Sequence, residues 1–318
     1  DSASAYYLEL MIILCALPFA AYSLIFSSTL RSFDFPLSGQ FIDSILQTGI
    51  LLLLVILLFT LFNNLFSNDE ITLLLVSFFV ISWFVSYLIA SLIFKKNIKV
   101  KKPQKTTKEK RKEWRSDSLT IMIGILGWSL LGRSDVLFLG FLVQPSEVGA
   151  YFICLRLGET ALFFSSISYY IWAGEISNLI QKGKIEEAQL VLKKSSKLCF
   201  ISTFIFFFIG MGLAEEILLF INETYIQYVF IFKVALFSFF LLGSVGMLNP
   251  MYYIIGQQEF LAKLQWAVGL LFLFLIFVSV PIYGITGCVI SFAFCQLIYV
   301  SVLSIRLKIK HDFSILPI

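Results

Sequence analysis

The sequence predicts an all-α integral membrane protein with nine transmembrane helices. Three observations carry that prediction. Of the 318 residues, 59% are hydrophobic and 14% charged, and mean hydropathy is +0.91, which leaves too few polar side chains to cover a soluble domain. Apolar stretches recur at the ~20-residue length an α-helix needs to cross hydrocarbon, whereas barrel strands are about half as long and alternate in polarity. Finally, all but three of the 24 Lys and Arg residues fall in alternate connections between those stretches, the pattern of cytoplasmic loops.

The first three spans are Leu8–Leu30, Ser44–Phe62 and Ile71–Phe94. Runs such as Ile50–Leu61 show no period-two alternation, so they read as helices. Arg31 follows the first span on the inner side, and the connection Asn63–Glu70, with Asp69 and Glu70 but no Lys or Arg, faces outward. Next comes Lys95–Arg115, which carries eleven basic residues and divides the chain into three spans and six. It reads as a solvated connector held inside by its charge and touching anionic lipid headgroups. Lacking an interleaved aromatic surface, it is not a nucleic-acid module.

The fourth and fifth spans, Ser118–Val143 and Val148–Ile176, flank the outward turn Gln144–Gly149 with its Glu147. Five lysines then fall between Lys182 and Lys197, returning the chain to the inner side. Within Gln181–Lys197, Ile185, Ala188, Leu192 and Ser195 keep helical spacing, Glu186 and Glu187 lie near the start, and Lys193, Lys194 and Lys197 near the end. That is an amphipathic helix, expected at the inner interface. Leu198–Leu213, Tyr228–Leu248, Ala262–Val280 and Ile285–Ile305 complete the nine. Their outward connections are Ala214–Gln227, with Glu215, Glu216 and Glu223, and Pro281–Gly284; Lys263, Arg306, Lys308 and Lys310 mark the inner side. Nine spans start the chain outside and end it in the cytoplasm. Residue 1 is Asp, no basic segment precedes Leu8, and an odd count is unusual for a repeat-built transporter, so further N-terminal helices are expected to precede this chain.

The spans hold no histidine and no motif of catalytic or metal-ligating spacing. Cys15, Cys154, Cys199, Cys288 and Cys295 lie in apolar segments without CxxC spacing and read as small buried hydrophobes; the single histidine, His311, is in the tail. No zinc site, catalytic triad, histidine relay or cofactor is predicted, and no catalytic residue is assigned. The protein is expected not to be an enzyme.

Ionisable side chains inside spans are expensive and mark transport paths by default. Arg133 and Asp135 lie in the fourth span, Arg156 and Glu159 in the fifth, and Lys233 in the seventh. Measured from Pro145, Arg133 and Glu159 lie at similar depth, and so do Asp135 and Arg156. Two interhelical salt bridges are therefore expected, either purely structural or lining a cavity. Lys233 has no matching carboxylate in its span. It either snorkels to the headgroups or adds positive potential to a cavity. Arg133, Arg156 and Lys233 together would attract a phosphate or pyrophosphate, while Asp135 and Glu159 are the carboxylates available for ion coupling or salt bridges.

At these residues the chain resembles a known family. The segments RSDVLFLGFLVQPSEVGAYFICLRLGE from Arg133, EILLFINETY from Glu216, NPMYYIIGQQEF from Asn249 and PIYGITGCVISF from Pro281 look like the C-terminal lobe of O-antigen and capsule-type polysaccharide flippases. These belong to the superfamily that also contains multidrug/toxic-compound extruders and lipid II flippases. The resemblance implies two six-helix lobes around a cavity and alternating access in the bacterial inner membrane. The implied cargo is an undecaprenyl-pyrophosphate-linked oligosaccharide, with membrane lipids and other polysaccharide assembly proteins as partners. Residues 1–94 would then be half of an N-terminal lobe, 95–116 the interlobe loop and 117–311 a complete C-terminal lobe. Multidrug extrusion and lipid II-type flipping are the alternatives.

Family members often carry a proline near the inner end of the span holding Glu159; here the chain reads WAGEIS from Trp172, leaving Gly174 as the expected flexible point. Gly124, Gly127, Gly132, Gly140, Gly243 and Gly246 are expected to permit close packing and bending. Tyr169, Tyr170 and Trp172 read as an interfacial aromatic belt, with stacking on sugar rings the alternative.

Overall fold

A computed structural model describes residues 2–33, 35–62, 68–98, 107–311 and 313. The middle of the basic connector, 99–106, and most of the outer connection after the second span, 63–67, lie outside the described residues. All regular structure among the described residues is helical, and eight helical stretches are long and apolar enough to cross a membrane. The chain divides into two units, Asp1–Lys105 and Thr106–Ile318.

The first unit contains α1 (Ser2–Leu14), α2 (Leu17–Ser32), α3 (Pro36–Gln40), a wider-turned stretch Phe41–Leu46, α4 (Gln47–Phe62) and α5 (Asn68–Asn97). The first span is interrupted at Cys15–Ala16 because Pro18, in the first turn of α2, has no N–H and its ring abuts the carbonyl four residues back, where α1 ends. The second span starts earlier than Ser44, since Phe41–Leu46 stays helical and joins α3 to α4. Helix α2 packs on α5, with Phe26 and Phe94 ring centroids 4.9 Å apart and Phe19 edge-on to Phe84 at 5.1 Å. Arg31 does not end in open solvent: its Nη1 lies 2.8 Å from Asp43 Oδ2.

The second unit runs α6 (Lys108–Leu142), α7 (Pro145–Glu159), a tight turn Thr160–Leu162, α8 (Phe163–Gln181), α9 (Ile185–Gly212), α10 (Ala214–Ile221), a short turn of helix Glu223–Tyr228, α11 (Val229–Ser244), α12 (Leu248–Ile254) and α13 (Gln258–His311). Helix α6 begins ten residues before the expected span, its N-terminus capped by Thr107 Oγ1 accepting from the Lys110 N–H at 3.4 Å. The expected loop over 95–116 is thus helical at both ends. The amphipathic segment after Gln181 is likewise no separate interfacial helix. It forms the opening turns of α9, because the buried stripe Ala188, Leu192, Ser195, Cys199, Thr203 continues into the span with no breaker between. The bend in the fifth span falls at Thr160–Leu162, directly after Glu159, and not at Gly174, which lies inside α8.

Among the described residues, α13 is two apolar helical arms that count as one of the eight stretches. Its 54 residues would span ~80 Å as one rod, far beyond the ~30 Å of hydrocarbon. Gly284, at φ 56° and ψ −142°, reverses the chain in a conformation that a β-carbon would strain. The arms on either side run antiparallel, as contacts symmetric about the turn require: Ser279 Oγ lies 3.1 Å from Ser291 Oγ, and Gln265 Nε2 donates to Tyr299 Oη at 3.4 Å. Tyr299 in turn donates to Asn249 Oδ1 at 2.7 Å, so the Asn249 segment is tied into the unit's core.

Helix α6 packs along the first arm of α13. Apolar side chains gain nothing by leaving lipid for protein, so close backbone approach holds such a seam together. A β-carbon on Gly127 would sit 2.9 Å from the Trp266 backbone nitrogen, and one on Gly269 would sit 2.7 Å from the Gly127 carbonyl oxygen. Across the same seam Trp266 Nε1–H donates to the Ile123 carbonyl at 2.8 Å. Gly124 belongs to the seam too, whereas Gly132 and Gly140 face open space and are not packing glycines. Gly127→Ala should therefore destabilise the protein by about 1–3 kcal/mol through overpacking against backbone. Gly132→Ala should be neutral or stabilising, since alanine favours a helix by ~1 kcal/mol. Thermal melts of the two variants in detergent measure the contrast.

Candidate functional site

The second unit forms an open cavity of about 550 Å³. Helix α6 lines it with Trp128, Gly132 and Asp135 on one helical stripe and Arg133 beside them; α7 contributes Phe152, Arg156 and Glu159 at i, i+4, i+7; α11 adds Phe239 and Leu242, and the second arm of α13 adds Phe292 and Gln296. Four of the five charged residues singled out from the sequence meet here. Lys233 does not line it.

The cavity exists because α6 and α7 part after their turn. Val143 and Gln144 are extended and Pro145 restarts the helix, which makes the two neighbours at that end. Beyond it, α6 follows α13 while α7 follows α11. That divergence overturns the expected interhelical salt bridges. Arg133 has no ion pair among the described residues. Glu159 pairs with Arg156 one turn back on its own helix, and the Arg156 guanidinium also lies 4.7 Å from the centre of the Phe152 ring. Equal depth on antiparallel helices sets height but not the direction a side chain takes around each axis.

Asp135 takes a different partner. It is 1% exposed and accepts hydrogen bonds from the Tyr151 hydroxyl at 2.8 Å and the Val136 N–H at 2.8 Å; the Cys288 thiol donates to the Tyr151 hydroxyl at 3.4 Å. Tyr151 and Cys288 are wholly buried, so this chain stands behind the cavity wall. Sequence reading missed Tyr151, Trp128 and Gln296. The usable signal was that a tyrosine deep in an apolar span needs a partner for its hydroxyl. Gln296 is 2% exposed, and its Oε1 has no hydrogen-bond partner among the described residues.

The charge facing the cavity is thus uneven. Asp135 is covered and Arg156 and Glu159 neutralise each other, while Arg133 is exposed and unpaired among the described residues. Lys233 is half-buried on α11, six and nine residues before Phe239 and Leu242, which at 100° per residue places it on other faces of that helix. Tyr169, Tyr170 and Trp172 are also outside the lining.

No family model matches the chain, and no curated protein matches it either. A crystal structure of a point mutant of MATE does match, with a TM-score of 0.59 and 16% identity over 92% of this chain. The fold resembles that of MATE. The chain spans 66% of the length of that protein. The chain is a multi-pass α-helical membrane protein, and the likeness is one of fold.

Proposed function

We propose that the protein moves an undecaprenyl-pyrophosphate-linked oligosaccharide from the cytoplasmic to the outer leaflet of the bacterial inner membrane by alternating access. The observation that carries this reading is Arg133: an exposed residue without an ion-pair partner among the described residues, on the wall of a 550 Å³ cavity and within a helix long and apolar enough to cross a membrane. Its fork suits phosphate oxygens, and Arg156 stands across the same cavity, releasable from Glu159 when a stronger anion enters. The cargo site comprises Arg133 and Arg156 and leaves out Lys233. Glu159 is the accessible carboxylate for ion coupling, and Asp135 keeps a structural role. Residues 1–94 then form half of an N-terminal lobe and 117–311 the C-terminal lobe, joined by 95–116, with the C-terminus cytoplasmic.

Two measurements test it. In cells lacking the gene, expression of the protein should relieve accumulation of lipid-linked oligosaccharide on the cytoplasmic face; undiminished accumulation would sink the flippase reading. Cysteine placed at Glu223 should react with an impermeant maleimide in intact cells and cysteine at Gly183 should not, and the reverse pattern would invert the topology.

A second reading, multidrug extrusion, is favoured by the MATE-like fold and by Glu159, whose side chain is 41% exposed on the cavity wall and could receive a cationic drug. Efflux of a cationic dye that is lost in Glu159→Gln, with no effect on lipid-linked oligosaccharide, would select it.

A further inference from the structure

The cytoplasmic overhang of α6 carries a feature that a solvated connector would not need. Lys108, Arg111, Lys112 and Arg115 follow one another at i, i+3, i+4 and i+7, and Leu119 and Met122 continue the same line into the span. At 100° per residue all six fall within a ~120° sector of the helix. Together they line a shallow trough of about 790 Å³, with Trp114 beside it. Trp114, Leu119 and Met122 are each more than half exposed.

The basic end is unfavourable by itself. Cations at this spacing repel one another, and the N-terminal end of a helix dipole disfavours positive charge. Lys108, Lys112 and Arg115 form no ion pair among the described residues to offset this. An anion lying along the trough would reverse both effects. The apolar end limits what that anion is, because Leu119 and Met122 offer nothing to a free, hydrated phosphate. From Lys108 to Met122 the trough runs ~21 Å, the thickness of one leaflet with its headgroups.

We propose that this trough is a binding site for an anionic phospholipid, the four cations holding the phosphate and headgroup and Leu119 and Met122 lying against an acyl chain. The second unit contains the same arrangement in a smaller version. On α9, Lys194 and Lys197 lead into exposed Leu198, Ile201 and Ile205 along a trough of about 400 Å³. Both helices run from basic to apolar in the N-to-C direction.

The test titrates the full chain in neutral detergent with dioleoyl-phosphatidylglycerol or dioleoyl-phosphatidylcholine and scores retained lipid by native mass spectrometry. The anionic lipid should be held at least tenfold more tightly. Each neutralisation, Lys108→Gln, Lys112→Gln or Arg115→Gln, should weaken it about fivefold, and the quadruple change with Arg111→Gln should abolish the preference. Exchanging each Lys for Arg and each Arg for Lys should retain it. Lys194→Gln with Lys197→Gln should remove a smaller share. If the quadruple variant misfolds, the single changes carry the test. Equal retention of the two lipids, or a preference unchanged by these neutralisations, overturns the proposal. So does competition by glycerol 3-phosphate as effective as that of phosphatidylglycerol, which would make this a free-phosphate site.

Discussion

Arg133→Gln should lower transport of the lipid-linked cargo by at least tenfold while the protein still folds and reaches the membrane. A charge-assisted hydrogen bond contributes about 1.5–3 kcal/mol, or roughly ten- to more than a hundredfold in an equilibrium or rate. Because Arg133 has no ion pair among the described residues, its removal leaves no carboxylate stranded and should change the melting temperature little. Lys233→Gln is the matched control: a cation of the same unit at membrane depth but outside the cavity lining, whose loss should leave transport nearly unchanged. If the two variants behave alike, the cavity is not where the anion binds. Exchanging Arg156 and Glu159 adds a sharper comparison. The swap keeps the i, i+3 attraction along α7 but moves the cation one turn, so stability should survive and transport should fall.

The second large effect is on stability. Tyr151→Phe leaves the buried Asp135 carboxyl with one donor in place of two and strands the Cys288 thiol, which should destabilise the protein by about 1–3 kcal/mol. Adding Asp135→Leu should recover part of that loss, because removing both partners of a buried hydrogen bond costs less than removing one. Asp135→Asn keeps an acceptor for Tyr151 and should retain the fold. A Tyr151→Phe variant as stable as the parent would mean that water or an ion satisfies Asp135 in the bilayer. A double variant no better than the single would show that the two residues are not coupled.

Much of the architecture was legible because lipid imposes a strict condition: every backbone polar group must be satisfied within the segment, so apolar length alone identifies a helix. The helices from α6 onward contain the expected spans, although α6 and α9 begin well before Ser118 and Leu198, and the reversal between Val280 and Ile285 was placed correctly although the helix around it reads as continuous. What failed was subtler. The basic stretch before Ser118 and the amphipathic stretch before Leu198 looked like loop and interfacial helix because their polarity changes at the membrane surface, yet a helix need not stop where its solvent changes. Thr107 caps the first, and an unbroken buried stripe carries the second.

At the candidate site the sequence by itself determined which charged residues lie inside apolar helices long enough to cross a membrane, since a charge in such a stretch is rare enough to stand out. It also determined their heights along the helices, because rise per residue is constant. Only the tertiary structure decided who meets whom. Helices α6 and α7 diverge onto different partners, so Arg133 and Glu159 face a cavity and not each other, Asp135 turns to Tyr151, and Lys233 stays off the lining. Those outcomes depend on the rotation of each helix about its axis and on the neighbour it packs against. Both are set by contacts between residues far apart in the chain, such as Gly127 against Trp266, that no local pattern encodes.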